Sequence, residues 1–282
     1  PDLTLNYQKD MSMNYRTVLV QVDQSSRSAV RTSVAAQLAN AHGAHLVGAA
    51  ATGISRFVFG EGAFNPGDPV FTHHLAHLRQ YARDALTAFE QAAASAGAAS
   101  VEARLVDDDA AGGIALSARY ADLTVVGQFD PSTGVPGLMP NFVETVAMNS
   151  GRPLLVVPYA GDVSGRFQRP LVAWDGGLPA SRAIAGALPL LSQAGTVDVV
   201  IFNPDTEADI HGAEPGADLA LYLARHGIQV TVVARRVSGD IGEALLSTAA
   251  DLGSDLIVMG AYGHTRFREV VLGGATRTVL QS

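Results

Sequence analysis

Short apolar runs alternate along this chain with segments whose apolar residues recur at three- and four-residue spacing. Thr17–Asp23 (TVLVQVD) reads as a buried strand, and Ser26–His42 as a helix, with Val30, Val34 and Leu38 on one face. His45–Thr52 is a second strand. Phe71–Ala96 is a long helix carrying Leu75, Leu78, Ala82, Leu86 and Phe89 as its apolar stripe. Val101–Val106, Leu123–Gly127 and Leu154–Val157 complete five strands, with a helix near Phe142–Ser150. Strands that are apolar almost throughout and alternate with helices predict a parallel sheet covered on both faces.

The same order then returns. Pro170–Asp175 (PLVAWD) matches TVLVQVD, each run ending in an aspartate, and Asp255–Gly260 (DLIVMG) matches Asp122–Gly127 (DLTVVG). Between them come a helix over Ser181–Ala194, a strand over Val197–Asn203, a helix over Ala217–His226, a strand over Val230–Arg235 and a helix over Asp240–Leu252. A pattern repeated this fully predicts two tandem doubly wound parallel-sheet α/β domains, over 16–158 and 169–282, with Ala160–Gln168 as linker. The second repeat is shorter, mainly in its second helix and the loop before it. It also reads as lacking the fifth strand, which leaves an edge that a second chain could cover in a homodimer.

Composition narrows the function classes. The chain has 282 residues, 48% hydrophobic, enough for two ordinary cores. No apolar run approaches the ~18–20 residues of a membrane span, so no membrane association is expected. The formal net charge is −8, and Lys9 is the only lysine; the arginines are scattered, which speaks against a nucleic-acid partner. Cysteine is absent, which removes thiol chemistry and agrees with a reducing compartment. Pro1–Asn14 is polar and has no signal-peptide core, so a cytoplasmic location is expected. Met11 or Met13 offers a start, which would make Pro1–Asp10 an extension.

The strongest chemical signal is Gly260-Ala-Tyr-Gly263, then nine residues, then Gly273-Gly274-Ala275 opening a helix. Glycines at the carboxyl end of a strand let the backbone turn sharply and approach a ligand closely. A helix start offers unpaired N–H groups and a positive dipole end to phosphates. Ligands of open α/β sheets lie in the crevice beyond the carboxyl strand ends. Asp175, at the end of the repeat's first strand, faces that crevice. The bland alternative is that these glycines only permit tight turns.

Gly-two residues-Gly-nine residues-Gly, with the aspartate ending the first strand, resembles the nucleotide-binding members of the universal stress protein family. The resemblance runs from about Arg16 onward, and the full motif stands only in the second repeat. It implies an ATP or ADP site in which Asp175 touches the adenosine and Ala173 and Phe202 line the adenine slot. Gly260 and Gly263 would sit by the ribose and phosphates, and Gly273, Gly274 and Ala275 would cradle the phosphate chain. The chain departs from the family at Gly274, where the family has Ser or Thr; the lost hydroxyl removes one phosphate hydrogen bond.

In the first repeat the corresponding stretch runs from Gly127 to Gly137. Asp130 stands where the second glycine would be, and Pro131, Pro136 and Pro140 remove backbone donors. Asp23 there reads as a leftover of common ancestry or a helix cap. Asp107–Asp109 before Gly112 read as a helix-capping loop. His73, His74 and His77 open the long helix; His73 and His77 share a face and could hold zinc with Glu61 or Asp68, though a solvated helix end is the simpler reading. His264, Arg266 and Arg268 could add positive charge near the phosphates.

No Gly-x-Gly-x-x-Gly follows a first strand, no Walker lysine exists and no Gly-x-Ser-x-Gly elbow occurs. The expectation is a regulatory ATP- or ADP-binding module with an unknown protein partner and no assignable catalytic residue. The alternatives are a nucleotide-free interaction scaffold and a metal-dependent enzyme built on the histidine trio.

Overall fold

A computed structural model of the chain describes residues 14–55, 69–132, 139–207, 214–261 and 274–282. It divides into two compact units, Asn14–Arg166 and Phe167–Ser282.

In the N-terminal unit the elements run β1 (Thr17–Gln21), α1 (Ser28–His42), β2 (His45–Ala51), α2 (Pro69–Ser95), β3 (Val101–Val106), α3 (Ala110–Ala118), β4 (Leu123–Gly127), α4 (Phe142–Ser150) and β5 (Leu154–Val157). All five strands are parallel, in the order β3-β2-β1-β4-β5. The central strands are closed to water on both faces, with Val18, Leu19, Val20, Val125 and Val126 at 0–1% exposure. Gly48 in mid-β2 has no side chain because the Phe89 ring of α2 lies against that backbone. Asp109 caps α3, accepting the Gly112 N–H at 2.8 Å, as the aspartate run suggested.

The C-terminal unit runs β6 (Pro170–Ala173), α5 (Leu178–Leu191), β7 (Val197–Phe202), α6 (Ala217–Arg225), β8 (Val230–Arg235), α7 (Ile241–Leu252), β9 (Leu256–Val258) and α8 (Gly274–Gln281). Its four strands are parallel in the order β8-β7-β6-β9. Alternate residues serve opposite faces. Val172, Val199 and Val258 pack with Ile184, Leu191 and Leu223 of α5 and α6, while Leu171 and Val200 pack with Leu245 and Ala249 of α7. Helices on both faces make each unit doubly wound. Among the described residues no strand pairs outside β9, where β5 covers β4 in the other unit.

Two boundaries differ from the sequence reading in a way that concerns the site. β6 stops at Ala173 rather than Asp175, because Gly176 takes a left-handed φ of 73° and turns the chain. α5 begins at Leu178 rather than Ser181, since Pro179 in its first turn needs no N–H partner there. No helix among the described residues is long and apolar enough to cross a membrane.

Candidate functional site

The strand order reverses direction at β6, whose neighbours β7 and β9 lead to opposite sides of the sheet. That switch point is where the first-strand aspartate lies. Asp175 is exposed, and among the described residues its carboxylate accepts one hydrogen bond, from Gly177 N–H at 2.8 Å. Ala173 and Phe202, expected to flank the base, both pack half-buried on the cluster of Leu171, Val200 and Leu245.

Gly260 serves a neighbour first. A Cβ there would lie 2.5 Å from Ala180 N and 2.8 Å from the Pro179 carbonyl carbon, so the chain leaving β9 presses on the first turn of α5. Gly260 and the loop after Asp175 are therefore brought together by packing alone. Gly274 and Ala275 open α8 as expected, with Gly274 exposed, and lie against the start of α7. Gly263, Gly273, His264, Arg266 and Arg268 lie outside the described residues.

At the carboxyl ends of β7 and β8 a cavity of about 350 Å³ is lined by Asn203, Asp205, Arg236, Val237 and Ser238. It begins one residue past Phe202, so it adjoins the expected adenine side rather than Asp175. Asn203 holds this rim: at φ 50° it is the one non-glycine with positive φ among the described residues. Its amide donates to Val237 O at 3.0 Å and accepts Val237 N–H at 2.7 Å, which continues the β7–β8 pairing through a side chain.

The corresponding place in the N-terminal unit is closed. Arg31, only 2% exposed, donates from Nε to Gln21 O at 2.6 Å, and its Nη2 lies 2.9 Å from Asp23 Oδ1. Asp23 also accepts from Ser25 N at 2.9 Å, from Ser25 Oγ and from Gln21 Nε2. Gln21 Oε1 in turn accepts Gly127 N–H at 3.2 Å, tying β1 to β4. Burial alone would raise the Asp23 carboxyl, but the Arg31 charge and the Ser25 hydrogen bonds outweigh it and hold it below its ordinary value. Asp23 is thus neither a helix cap nor an idle remnant; it is the counter-ion of a buried arginine. α1 has no side-chain cap at all.

Helix length closes this crevice further. α2 has 27 residues against nine in α6, and its extra turns lay Leu78 and Tyr81 over the ends of β1 and β2. Tyr81 O accepts from Gln24 Nε2 at 2.9 Å, and Arg79 forks onto Asp107 at 2.9 and 2.7 Å. What remains is a cavity of about 30 Å³, water-sized, beside Asp23 and Thr52.

Sequence reasoning passed over Arg31, though a signal was present. Residues 31, 35, 38 and 42 form the buried stripe of α1, and a charge in an apolar stripe demands a partner. His73, His74 and His77 are all exposed, and no group of three metal-ligating side chains occurs among the described residues. Glu61 and Asp68 lie outside them.

Comparison with known proteins identifies the fold. Residues 166–282 match the model of the Universal stress protein family. A universal stress protein from Archaeoglobus fulgidus DSM 4304 superposes with a TM-score of 0.68 at 18% identity, covering 94% of both chains. A putative universal stress protein from Pseudomonas aeruginosa UCBPP-PA14 gives 0.57 at 16% identity, covering 94% of this chain and 89% of its own. Both units therefore have the universal stress protein fold in tandem. A universal stress protein solved in complex with cAMP is 27% identical over 51% of this chain and 97% of its own, with a TM-score of 0.36. No curated protein matches the chain significantly.

Proposed function

We propose, from a C-terminal unit that belongs to the universal stress protein family, that this unit binds one ATP or ADP and acts as a regulatory module. The observation that carries the reading is the contrast between two equivalent carboxylates. Asp175 is exposed and accepts one hydrogen bond among the described residues, whereas Asp23 is consumed by Arg31. Adenosine would meet Asp175, with the base against Ala173 and Phe202. The ribose and phosphates would follow Gly260 and Gly263 to the helix start at Gly273, Gly274 and Ala275. The N-terminal unit would stay empty of nucleotide, its crevice filled by Arg31 and α2.

Binding would act by selective affinity for one arrangement of a partner-facing surface. No residue is placed as a general base, so the reading is of binding rather than turnover. Cytoplasmic location, a stress-response role and a homodimer formed at the β9 edge complete it; light scattering showing a strict monomer would remove the dimer.

A nucleotide-free scaffold has one observation in its favour. Gly260 is explained by the close approach of Pro179 and Ala180, with no ligand needed. Mass spectrometry of gently extracted protein, followed by calorimetry with ATP and ADP, separates the two. One retained or titrated nucleotide per chain is expected. Neither retention nor binding would leave the scaffold.

A further inference from the structure

At the carboxyl end of β2 the N-terminal unit keeps an orphaned polar group. Thr52, 5% exposed, donates its N–H to Val106 O at 2.9 Å, but its Oγ1 is buried with no hydrogen-bond partner among the described residues. The equivalent position in the C-terminal unit is Asn203, whose N–H donates to Arg235 O in the same way and whose side-chain amide is taken up by Val237. A buried hydroxyl left unpaired is costly, so Thr52 Oγ1 calls for a partner from outside the chain. Thr52 lines the small cavity beside Asp23.

The walls of that cavity are short. Ala50 and Ala51 of β2, Ala82 and Ala85 of α2 and Ala110 of α3 all line it with side chains that end at Cβ. Leu78 and Tyr81, both half-buried, lie over it, and with them in place about 30 Å³ remains. The hydrogen bonds that fasten this stretch of α2, from Gln24 to Tyr81 O and from Arg79 to Asp107, are exposed and contribute little to holding it shut. Asp23, which also lines the cavity, is neutralised by Arg31, so a charged ligand would be buried there without a counter-ion. A small apolar body bearing one hydroxyl satisfies both the walls and Thr52.

We propose that the N-terminal unit binds a small uncharged phenol or alcohol in this slot, its hydroxyl on Thr52 Oγ1 and its apolar body among the alanines, with Leu78 and Tyr81 shifting outward to admit it. This site is separate from the nucleotide site proposed for the C-terminal unit and does not depend on it. The test is titration of the whole chain with phenol, and with benzoate as its charged counterpart, followed by saturation-transfer NMR. The wild type, Thr52→Val, Leu78→Ala and Leu78→Trp are compared. The wild type should bind phenol and not benzoate. Thr52→Val keeps the shape and removes the hydroxyl, and should weaken phenol binding about five- to tenfold. Leu78→Ala opens the mouth in advance and should tighten binding about tenfold, whereas Leu78→Trp should abolish it. No phenol binding by the wild type overturns the proposal. So does equal binding by the wild type and Thr52→Val, which would place the phenol elsewhere, and so does benzoate binding as tight as that of phenol.

Discussion

Gly127 lies directly over Arg31: a Cβ built on Gly127 would come 2.5 Å from the Arg31 guanidinium Nη1. The glycine that ends β4 in the N-terminal unit is therefore kept small by an internal cation. Its counterpart Gly260 is kept small by the backbone of α5. One position in the repeat thus has two different steric reasons for the same residue.

Removing the cation should be costly. Arg31→Met leaves Asp23, whose side chain is 11% exposed, without its counter-charge. Losing one partner of a buried pair costs about 3–5 kcal/mol. Urea denaturation should show that loss for Arg31→Met and a smaller one for Arg31→Met combined with Asp23→Asn. Equal losses would mean that the pair is not coupled.

Acid should weaken the same unit. The Asp23 pKa is lowered on folding, so its contribution to stability is complete above the ordinary carboxylate value of 3.8 and is lost as pH falls through the lower folded value. Thermal melts below pH 4 should fall more steeply for the wild type than for Asp23→Asn. Parallel pH profiles would show that Asp23 carries no linkage.

The two aspartates should separate in binding assays. Asp175→Ala should weaken ATP or ADP binding about ten- to a hundredfold, as loss of a charge-assisted hydrogen bond does, and Asp23→Ala should leave affinity unchanged. Trp174, the only tryptophan, precedes Asp175, so its fluorescence offers a direct readout beside calorimetry. Two equivalent sites per chain, or equal effects of the two substitutions, would contradict the assignment to the C-terminal unit.

Gly260→Ala tests packing without reference to a ligand. The new methyl would meet the Ala180 backbone at 2.5 Å, and backbone cannot step aside as a flexible side chain can. Overpacking of this kind costs about 1–3 kcal/mol. The melting temperature should fall in nucleotide-free protein; an unchanged value would return Gly260 to a purely ligand-facing role.

Much of the architecture was determined by sequence alone, because strand burial and helix amphipathicity are local periodicities. Val18–Val20 and Val125–Val126 announce buried parallel strands, and the return of PLVAWD after TVLVQVD announces a second copy of the fold. The opening of the last helix at Gly274 was legible in the sequence as well. Only the tertiary structure decided which aspartate is available. Asp23 and Asp175 end similarly patterned runs, and what separates them is Arg31, eight residues on in sequence but packed against the ends of β1 and β4. The close approach of Asp240 to Gly274 likewise depends on how α7 packs against α8. Periodicity reports which face of an element is buried; it does not report what that face meets, and charge pairing is decided by the meeting.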